Sequence, residues 1–392
     1  MADLDSWLRQ RKAAGNYRTL QPVHRLGGGL LTLADKNQEE KPLLDFSSND
    51  YLALSEHPEV VEASQKYLAL YGSGSGAARL MSGNLDIHGQ LEEAIAALKK
   101  KERTLLFGSG YLANVGIIPA LAGRDSLIFT DRLNHASIYD GCLLSRAKLL
   151  RFQHNDLDHL EDLVKKEKGK KDAIIIVESL YSMDGDICPL PELVALKERY
   201  GCLLLVDEAH ATGVYGENGG GLLEEFGISD RVDLAMGTFS KALGSYGAFV
   251  AASAQLIEVI VNRARSFIFS TALPPAVIGA SRAAVRLVQK QPELRLELAS
   301  RVHFFKQCLA AGGIETLGHS QIIPVVIGDS NKAVAFAAAL RQMGVYATAV
   351  RPPTVPEGSA RLRFSITRHH SEIALRKAAA ALLELFNGEK IG

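Results

Sequence analysis

Thr238-Phe239-Ser240-Lys241-Ala242-Leu243-Gly244-Ser245 is the stretch from which the rest of this chain can be interpreted. Its lone lysine stands among small hydroxyl residues and a glycine, just after the apolar-leaning run Val232 to Met236, where a lysine adds little to packing. An amine that forms an imine with an aldehyde must lose its proton near neutral pH, which requires desolvation or a neighbouring cation. The pattern therefore predicts that Lys241 is an imine-forming lysine.

A second stretch upstream supplies the partner that such chemistry needs. The apolar run Leu203-Leu204-Leu205-Val206 leads directly into Asp207 and indicates a buried parallel strand, whose carboxyl end is where α/β proteins bind ligands. If the aldehyde is pyridoxal phosphate, a buried carboxylate must keep the ring nitrogen protonated. Asp207 is predicted to fill that role, with the hydroxyls of Thr238 and Ser240 holding the phosphate.

Other interpretations of these residues have to be weighed. Taken singly, Lys241 is typical of a solvated loop and Asp207 of a helix cap, so only the pairing carries the prediction. Asp207-Glu208-Ala209-His210 also matches the metal-binding box of a helicase, which requires a GxxxxGK[ST] loop upstream. The chain's one Gly-Lys pair lies in Gly169-Lys170-Lys171, which does not fit that pattern. The helicase interpretation is therefore excluded.

Composition limits the remaining classes of function. Lys plus Arg and Asp plus Glu both number 44 in 392 residues, so no net field favours nucleic acid or an anionic membrane as partner. The four cysteines, Cys142, Cys188, Cys202 and Cys308, form no CxxC pair, which indicates reduced core thiols and no metal site. The amino terminus has no apolar leader, and no later apolar run could span a bilayer, so we expect a cytoplasmic location.

Strand and helix patterns alternate through the first two thirds of the chain, which predicts an α/β fold with a mainly parallel central sheet flanked by helices. Gly108-Ser109-Gly110-Tyr111 lies between a strand and a helix, where free N–H groups are available as a phosphate cradle. Without Lys241 the same stretch would be interpreted as a tight βα turn. Polar candidates that follow strands are expected to meet at one edge of the sheet. They are Gly110, His135, Ser182, Asp207, His210 and Lys241.

The pattern changes towards the carboxyl terminus. After Ile314, short strands at Ile322 to Ile327, Tyr346 to Val350 and Arg361 to Ile366 alternate with helices, which is typical of a smaller α+β domain. We therefore predict three segments: an N-terminal arm with short strands over 1–46, a large ligand-binding domain over 47–285, and a C-terminal α+β domain over 286–392.

Several motifs together resemble the α-oxoamine synthase family of fold-type I pyridoxal-phosphate enzymes, which condense an amino acid with an acyl thioester and release carbon dioxide. The similarity covers nearly the whole chain and implies a fold-type I transferase that acts as a homodimer, with active sites at the subunit boundary. The motifs are Asn134-His135-Ala136-Ser137, Ser182-Met183-Asp184-Gly185-Asp186, Asp207-Glu208-Ala209-His210-Ala211-Thr212-Gly213 and Thr238-Phe239-Ser240-Lys241-Ala242-Leu243-Gly244.

The resemblance also implies a role for each matching residue. Lys241, His135 and Asp207 would be catalytic, with either Lys241 or His135 moving the final proton. The remaining assignments concern the cofactor and the substrates. Asp207 would hold the ring nitrogen of pyridoxal 5'-phosphate, His135 its face, His210 and Ser182 the surroundings of its hydroxyl, Gly110, Tyr111 and Thr238 its phosphate, Thr271 the partner subunit's phosphate, Arg363 the amino-acid carboxylate, and Arg18 and Thr354 the acyl substrate.

Substrate preference is implied by a shorter stretch. Arg351-Pro352-Pro353-Thr354-Val355-Pro356, followed by Ala360-Arg361-Leu362-Arg363, resembles the member of the family that joins L-alanine to a pimeloyl thioester in biotin biosynthesis. Members that use glycine or serine, such as 2-amino-3-ketobutyrate ligase, stay open as alternatives, as does a catalytically silent relative. The thioester carrier, coenzyme A or an acyl-carrier protein, also stays open. Ser240, which is glycine in some members, departs from the family pattern.

Overall fold

The computed structural model describes residues 3–13, 17–34, 41–167 and 172–389, so the Gly169-Lys170-Lys171 run lies outside the described residues. The chain divides into two compact units. The larger comprises Asp50–Ser182 and Ile187–Arg295, and the smaller comprises Met1–Asn49, Met183–Asp186 and Leu296–Gly392.

The strands and helices are numbered in chain order. The strands are β1 Val23–Gly27, β2 Leu30–Leu33, β3 Leu43–Asp45, β4 Arg103–Phe107, β5 Leu127–Asp131, β6 Lys148–Phe152, β7 Ala173–Glu178, β8 Leu203–Asp207, β9 Leu234–Thr238, β10 Ala248–Ala252, β11 Ile322–Gly328, β12 Val345–Tyr346, β13 Thr348–Val350 and β14 Ala360–Ser365. The helices are α1 Leu4–Ala13, α2 Pro58–Tyr71, α3 Asp86–Lys99, α4 Gly110–Leu121, α5 Ala136–Ser145, α6 Leu157–Lys166, α7 Leu190–Tyr200, α8 Leu222–Glu225, α9 Ala254–Arg263, α10 Arg265–Ile268, α11 Pro275–Lys290, α12 Glu293–Ala311, α13 Ser330–Gln342 and α14 Glu372–Glu389.

The larger unit is built on a seven-stranded sheet in the order β4-β10-β9-β8-β7-β5-β6. Strands β9, β8, β7, β5 and β6 pair in parallel, and β10 runs antiparallel to both β9 and β4. Strand β4 is consequently parallel to the others. The predicted α/β architecture is confirmed, whereas β10 was not predicted, because its alanine-rich sequence has weak strand propensity.

Apolar strands explain why this sheet is central. Strands β5, β8, β9 and β10 are buried along almost their whole length, as expected for a sheet covered on both faces. Helix α4 supplies Ala113 and Ile117 to one core cluster, and α9 supplies Ile257 and Ile260. Because β4, β5, β7, β8 and β9 share one direction, the loops that follow them start at the same edge of the sheet.

The smaller unit contains two sheets, ordered β1-β2-β3-β12 and β11-β14-β13. Strand β3 pairs in parallel with β12, Leu44 opposite Val345, so the N-terminal strands share a sheet with the C-terminal part of the chain. The predicted segments 1–46 and 286–392 therefore fall largely into this one unit, with residues 286–295 in the larger one. The expected strand from Tyr346 to Val350 is divided between the two sheets.

Two further expectations concern the cysteines and membrane-spanning helices. Within the described residues the four cysteines form no disulfide, and three are buried as predicted, whereas Cys308 is partly exposed. Within the described ranges, no helix combines the length and the apolar character that crossing a bilayer requires.

Candidate active site

Asp207 and Lys241 lie at the same edge of the central sheet. Asp207 is the last residue of β8, and β8 pairs in parallel with β9, with Asp207 opposite Met236. Strand β9 ends at Thr238, and Lys241 follows in the next loop. The strand register therefore confirms the predicted position of both residues at the carboxyl edge.

Lys241 lies in a tight connection between β9 and the antiparallel β10, and not in the β-to-α loop that the alternating pattern suggested. The connection is closed by hydrogen bonds from Phe239 N–H to the Gly247 carbonyl at 2.9 Å and from Ser245 N–H to the Phe239 carbonyl at 2.8 Å. Gly244 has φ +59°, and a Cβ there would lie 2.2 Å from the Ser55 nitrogen. Glycine is therefore required beside Lys241.

The Asp207 carboxylate is held by neutral donors. It is 6% exposed; Oδ1 accepts from Ala209 N–H at 2.9 Å and Oδ2 accepts from the Asn114 amide at 3.0 Å. Neutral donors orient a carboxylate and help to offset its desolvation, but they leave its negative charge in place. Asp207 therefore suits a ligand that presents a protonated ring nitrogen.

His135 precedes α5 and is an exposed residue whose Nδ1 edge is fixed. Nδ1 lies 2.8 Å from Ser137 Oγ and accepts from Ser137 N–H at 3.2 Å. Desolvation of the ring lowers the pKa of His135 even though part of the residue reaches solvent; Asp207 acts in the opposite direction, and Lys241 lowers the pKa further. The side chain is consequently a neutral imidazole at pH 7.

Glu178 ends β7 directly beside Asp207 in the parallel register. It is 3% exposed, and its Oε1 accepts from His135 N–H at 2.5 Å. Burial raises the pKa of Glu178 to about 8; Asp207 adds to the rise, and Lys241 opposes it. Asp207 and Lys241 thus act electrostatically on the same two groups, His135 and Glu178, which brings all four into one cluster.

The phosphate-cradle candidate has the expected local form. Strand β4 ends at Phe107, α4 begins at Gly110, and the Ser109 side chain caps the helix by accepting from Leu112 N–H at 3.2 Å. The first N–H groups of α4 are therefore oriented as an anion-binding helix terminus. Tyr111, 47% exposed, donates its hydroxyl to Asp140 Oδ2 at 2.6 Å.

The Thr238 side chain is hydrogen-bonded within the turn that follows β9. Its hydroxyl donates to the Gly247 carbonyl at 2.8 Å, and its Oγ1 accepts from Ser240 N–H at 3.1 Å. The exposed Ser240 hydroxyl lies 2.7 Å from Thr238 Oγ1. Thr238 therefore shapes the turn, and Ser240 presents the outward hydroxyl.

The other cofactor candidates of the larger unit are also placed. His210 Nδ1 lies 2.7 Å from the hydroxyl of the fully buried Tyr51. The Ser182 backbone N–H bonds to the Glu178 carboxyl, which ties the loop after β7 to the cluster. Thr271 is exposed and pairs with Ala78 in an isolated β-bridge.

The substrate candidates belong to the smaller unit. Arg363 on β14 is 8% exposed and donates to Ser365 Oγ at 2.6 Å and to Asn49 Oδ1 at 3.2 Å. Arg18 and Thr354 are both exposed and lie 3.5 Å apart, Arg18 Nη2 to Thr354 Oγ1. The structure thus brings together Arg18 and Thr354, which were both predicted to contact the acyl substrate.

Several members of these clusters were not predicted from the sequence. Asn114 lies in the helix after the phosphate turn, and Ser137 lies within the Asn-His-Ala-Ser motif, but neither position carries a local sign of its partner. Glu178 did carry a signal, since it is an acidic residue at the end of an apolar strand, as is Asp207. Asn49 follows a short strand of the smaller unit.

Comparisons with known proteins give relatives along nearly the whole chain. The 8-amino-7-oxononanoate synthase of Geobacter sulfurreducens is 46% identical over 389 residues, covering 98% of this chain and 97% of the relative. The enzyme of the same description from Geotalea daltonii is 47% identical, with the same coverage.

Solved structures give the same result for the backbone. A serine palmitoyltransferase of Sphingomonas wittichii matches with TM-score 0.93 and 30% identity, covering 100% of this chain and 98% of that one. An 8-amino-7-oxononanoate synthase of Francisella tularensis matches with TM-score 0.78 and 29% identity, covering 89% and 99%. The family model described as aminotransferase class I and II matches residues 41–382. The chain therefore belongs to the aminotransferase class I and II family, and its relatives at 45 to 47% identity are described as 8-amino-7-oxononanoate synthases, two of them as putative ones.

Proposed function

We propose that this chain is a pyridoxal-phosphate enzyme that condenses L-alanine with a pimeloyl thioester in biotin biosynthesis. The products would be 8-amino-7-oxononanoate, carbon dioxide and the free thiol, so that the carbon–sulfur bond and the bond to the alanine carboxylate both break. The observation that carries the proposal is the cluster at the sheet edge, where Asp207 and Lys241 act on the same two side chains, His135 and Glu178.

The residues at this edge fit the proposed cofactor. A pyridine nitrogen stays protonated only beside a carboxylate that keeps its charge. The buried Asp207 carboxylate accepts from two neutral donors, the Ala209 N–H and the Asn114 amide. A phosphate monoester needs N–H groups at a helix amino end, which α4 offers at Gly110 and Tyr111. An imine needs a lysine amine at the same edge, and Lys241 is there.

When bound, pyridoxal phosphate supplies a protonated ring that accepts the electron pair left by loss of a proton from the amino-acid Cα. Lys241 would remove and return that proton as a neutral amine. Asp207 would hold the ring-nitrogen proton, and the exposed face of His135 would stack on the ring. His210 and Ser182 would lie near the ring hydroxyl. Thr238 would lie at the phosphate together with Ser240, whose hydroxyl is 2.7 Å from Thr238 Oγ1.

The substrate roles follow from charge and accessibility. Arg363 would clamp the alanine carboxylate, and Asn49, whose amide oxygen accepts from Arg363, would orient the guanidinium. The exposed pair Arg18 and Thr354 would contact the acyl thioester. We further propose a homodimer in which Thr271 reaches the phosphate of the partner's site, and a cytoplasmic location. Coenzyme A or an acyl-carrier protein would carry the thioester.

Sequence identity, and not the backbone, supports the choice of substrate. The serine palmitoyltransferase structures match the backbone with TM-scores up to 0.93 at 28 to 30% identity, so the fold accommodates both chemistries. The relatives described as 8-amino-7-oxononanoate synthases are 46 to 47% identical to this chain. At that identity, the residues that line a substrate pocket are retained more often than at 28 to 30%. Alanine with a pimeloyl chain is therefore favoured over serine with a longer one.

The proposal is tested by supplying purified protein with pimeloyl or acetyl thioesters against L-alanine, glycine and L-serine, and following free thiol and carbon dioxide. We expect turnover with L-alanine and the pimeloyl thioester to exceed every other pair. Preference for glycine with the acetyl thioester would assign the chain to 2-amino-3-ketobutyrate ligase chemistry. No release of thiol with any pair, together with an unchanged absorbance on adding L-alanine, would indicate a silent relative.

Arg363→Lys is expected to raise the KM for L-alanine by roughly tenfold, because an ammonium keeps the charge but loses the bidentate fork. The KM for the thioester should change little. Arg18→Ala is the reciprocal variant: it removes an exposed side chain and should raise the KM for the thioester while leaving that for alanine. Steady-state kinetics with each substrate varied in turn would measure both. If Arg363→Lys changed only the thioester KM, the carboxylate assignment would be wrong.

A further inference from the structure

A continuous chain of hydrogen bonds joins His135 to Asp207 inside the larger unit. His135 Nδ1 lies 2.8 Å from Ser137 Oγ, Ser137 Oγ lies 2.9 Å from Asn114 Nδ2, and Asn114 Nδ2 lies 3.0 Å from Asp207 Oδ2. Asn114 and Ser137 are each 1% exposed. The side chain expected on the ring face and the carboxylate expected on the ring nitrogen are thus linked through two buried polar groups.

The donors and acceptors of this chain can be assigned by elimination. The Asn114 amide must turn its nitrogen towards Asp207, because its oxygen would face a carboxylate with acceptor against acceptor. The second amide hydrogen then goes to Ser137 Oγ. Since this hydroxyl oxygen accepts from Asn114, its own proton is available for His135 Nδ1.

A second donor supports the same assignment at His135. The Ser137 backbone N–H, which can only donate, lies 3.2 Å from Nδ1. With the Ser137 hydroxyl and backbone N–H both directed at it, Nδ1 must be an acceptor without a proton. The proton of the neutral imidazole is then on Nε2.

We propose that Asn114 is a positioning residue that uses the Asp207 carboxylate to fix His135, through Ser137, as the neutral Nε2–H tautomer. The tautomer itself does not depend on the proposed function; only the catalytic role that follows for His135 rests on it. In that reaction His135 would present an N–H donor from Nε2 to a substrate oxygen, while proton removal and return stay with Lys241. The proposal therefore assigns the final proton transfer to Lys241.

Two observations separate this role from ordinary core packing. Among the residues that the structure describes, Asn114 Oδ1 is buried without a hydrogen-bond partner, a cost that a residue selected for packing alone would not carry. Gly141 on α5 is also required, because a Cβ there would lie 2.8 Å from the Asn114 carbonyl oxygen. Gly141 therefore allows the close approach of α4 and α5 that places Asn114 beside Ser137.

Helix α4 links these hydrogen bonds to the phosphate turn. Helix α4 begins at Gly110 and carries Asn114 one turn further on. A displacement of the helix amino end would therefore move the donor of Asp207 and Ser137 as well. Burial lowers the pKa of His135 despite the opposing effect of Asp207. The lowered pKa agrees with a neutral ring whose Nδ1 accepts hydrogen bonds.

The tautomer can be read directly by long-range proton–nitrogen NMR correlation. Full-length protein labelled with nitrogen-15 histidine would be measured as purified with its cofactor and again after the cofactor is removed, with His135 assigned from a His135→Gln sample. We expect the Nε2–H pattern in both states. An Nδ1–H pattern, or an imidazolium at neutral pH, would overturn the proposal.

Three variants test the path. Ser137→Ala removes one donor to Nδ1 and should shift the tautomer ratio of His135 by roughly five- to tenfold and raise its pKa, since the neutral form loses a hydrogen bond. Asn114→Leu, which keeps the branching at Cγ but removes the amide, should have the same effect because the Ser137 hydroxyl is then able to reverse. Ser145→Ala is the matched control: it removes another buried serine of α5, bonded to Cys142 and Ala147, and should leave His135 unchanged.

The outcomes are separable from the fate of the proposed function. The NMR measurement without cofactor depends on no substrate, so it stands even if no thioester is turned over. If Asn114→Leu fails to fold, Ser137→Ala still decides the question. Equal spectra for Ser137→Ala and Ser145→Ala would show that Ser137 does not determine the tautomer, and the proposed path would be wrong.

Discussion

The Lys241→Ala protein is expected to lose catalysis by a factor of about 10²–10⁴ or more, the usual contribution of a positioned general base. The loss follows because Lys241 is the amine at the sheet edge that would both attach the cofactor and move the Cα proton. The visible absorbance band of the covalently attached cofactor should disappear as well, and cofactor should be removed by dialysis.

Lys241→Arg is the matched control for this prediction. Arginine keeps the positive charge, but its guanidinium cannot lose a proton in a protein, so it should be as inactive as alanine. A variant that kept activity with arginine would assign Lys241 an electrostatic role only. Circular dichroism of each protein would confirm that the fold is retained, and an unchanged absorbance spectrum in Lys241→Ala would end the assignment.

Lys99→Met is expected to destabilise the larger unit by about 3–5 kcal/mol, the cost of leaving one member of a buried ion pair without its partner. Lys99 Nζ donates to Glu208 Oε2 at 2.8 Å, to Thr212 Oγ1 at 2.8 Å and to the Gly220 carbonyl at 2.6 Å. The two charged side chains are 1% and 0% exposed. Removing the ammonium therefore leaves the Glu208 carboxylate buried and unpaired.

Two comparisons make this prediction specific. The double variant Lys99→Met with Glu208→Gln should recover much of the stability, because no charge remains buried and glutamine still accepts from Leu223 N–H. Arg231→Met breaks the exposed pair with Glu198 and should cost far less, because a solvent-exposed ion pair contributes little to stability. Urea unfolding of the full-length protein would measure all three. Equal losses for Lys99→Met and Arg231→Met would contradict the argument.

This ion pair also bears on the site, since Glu208 directly follows Asp207. Its Oε1 accepts from Leu223 N–H at 2.9 Å, and a Cβ on Gly221 would lie 2.5 Å from that oxygen. Both carboxylate oxygens of Glu208 are therefore anchored directly after Asp207, the residue that would hold the ring nitrogen. A loosened anchor should weaken cofactor binding together with stability.

Local patterns in the sequence were sufficient for the sheet and for its functional edge. Apolar runs that end in polar residues predicted β5, β7 and β8 and placed Asp207 at a carboxyl end, and the structure confirms each. Gly244, three residues after Lys241, also marked a turn locally, since its φ is positive. Such features depend on a few consecutive residues, and a sequence displays them directly.

The partners of individual side chains were decided only by the tertiary structure. Lys99 looked like a basic residue in the last turn of a helix, yet its partner is Glu208, 109 positions away. Asn114 and Asp207 are 93 positions apart, and Glu178 and His135 are 43 apart. Residues that distant meet because strand order and register bring their elements together. A periodic pattern shows which face of an element is buried, but it does not show what that face will meet.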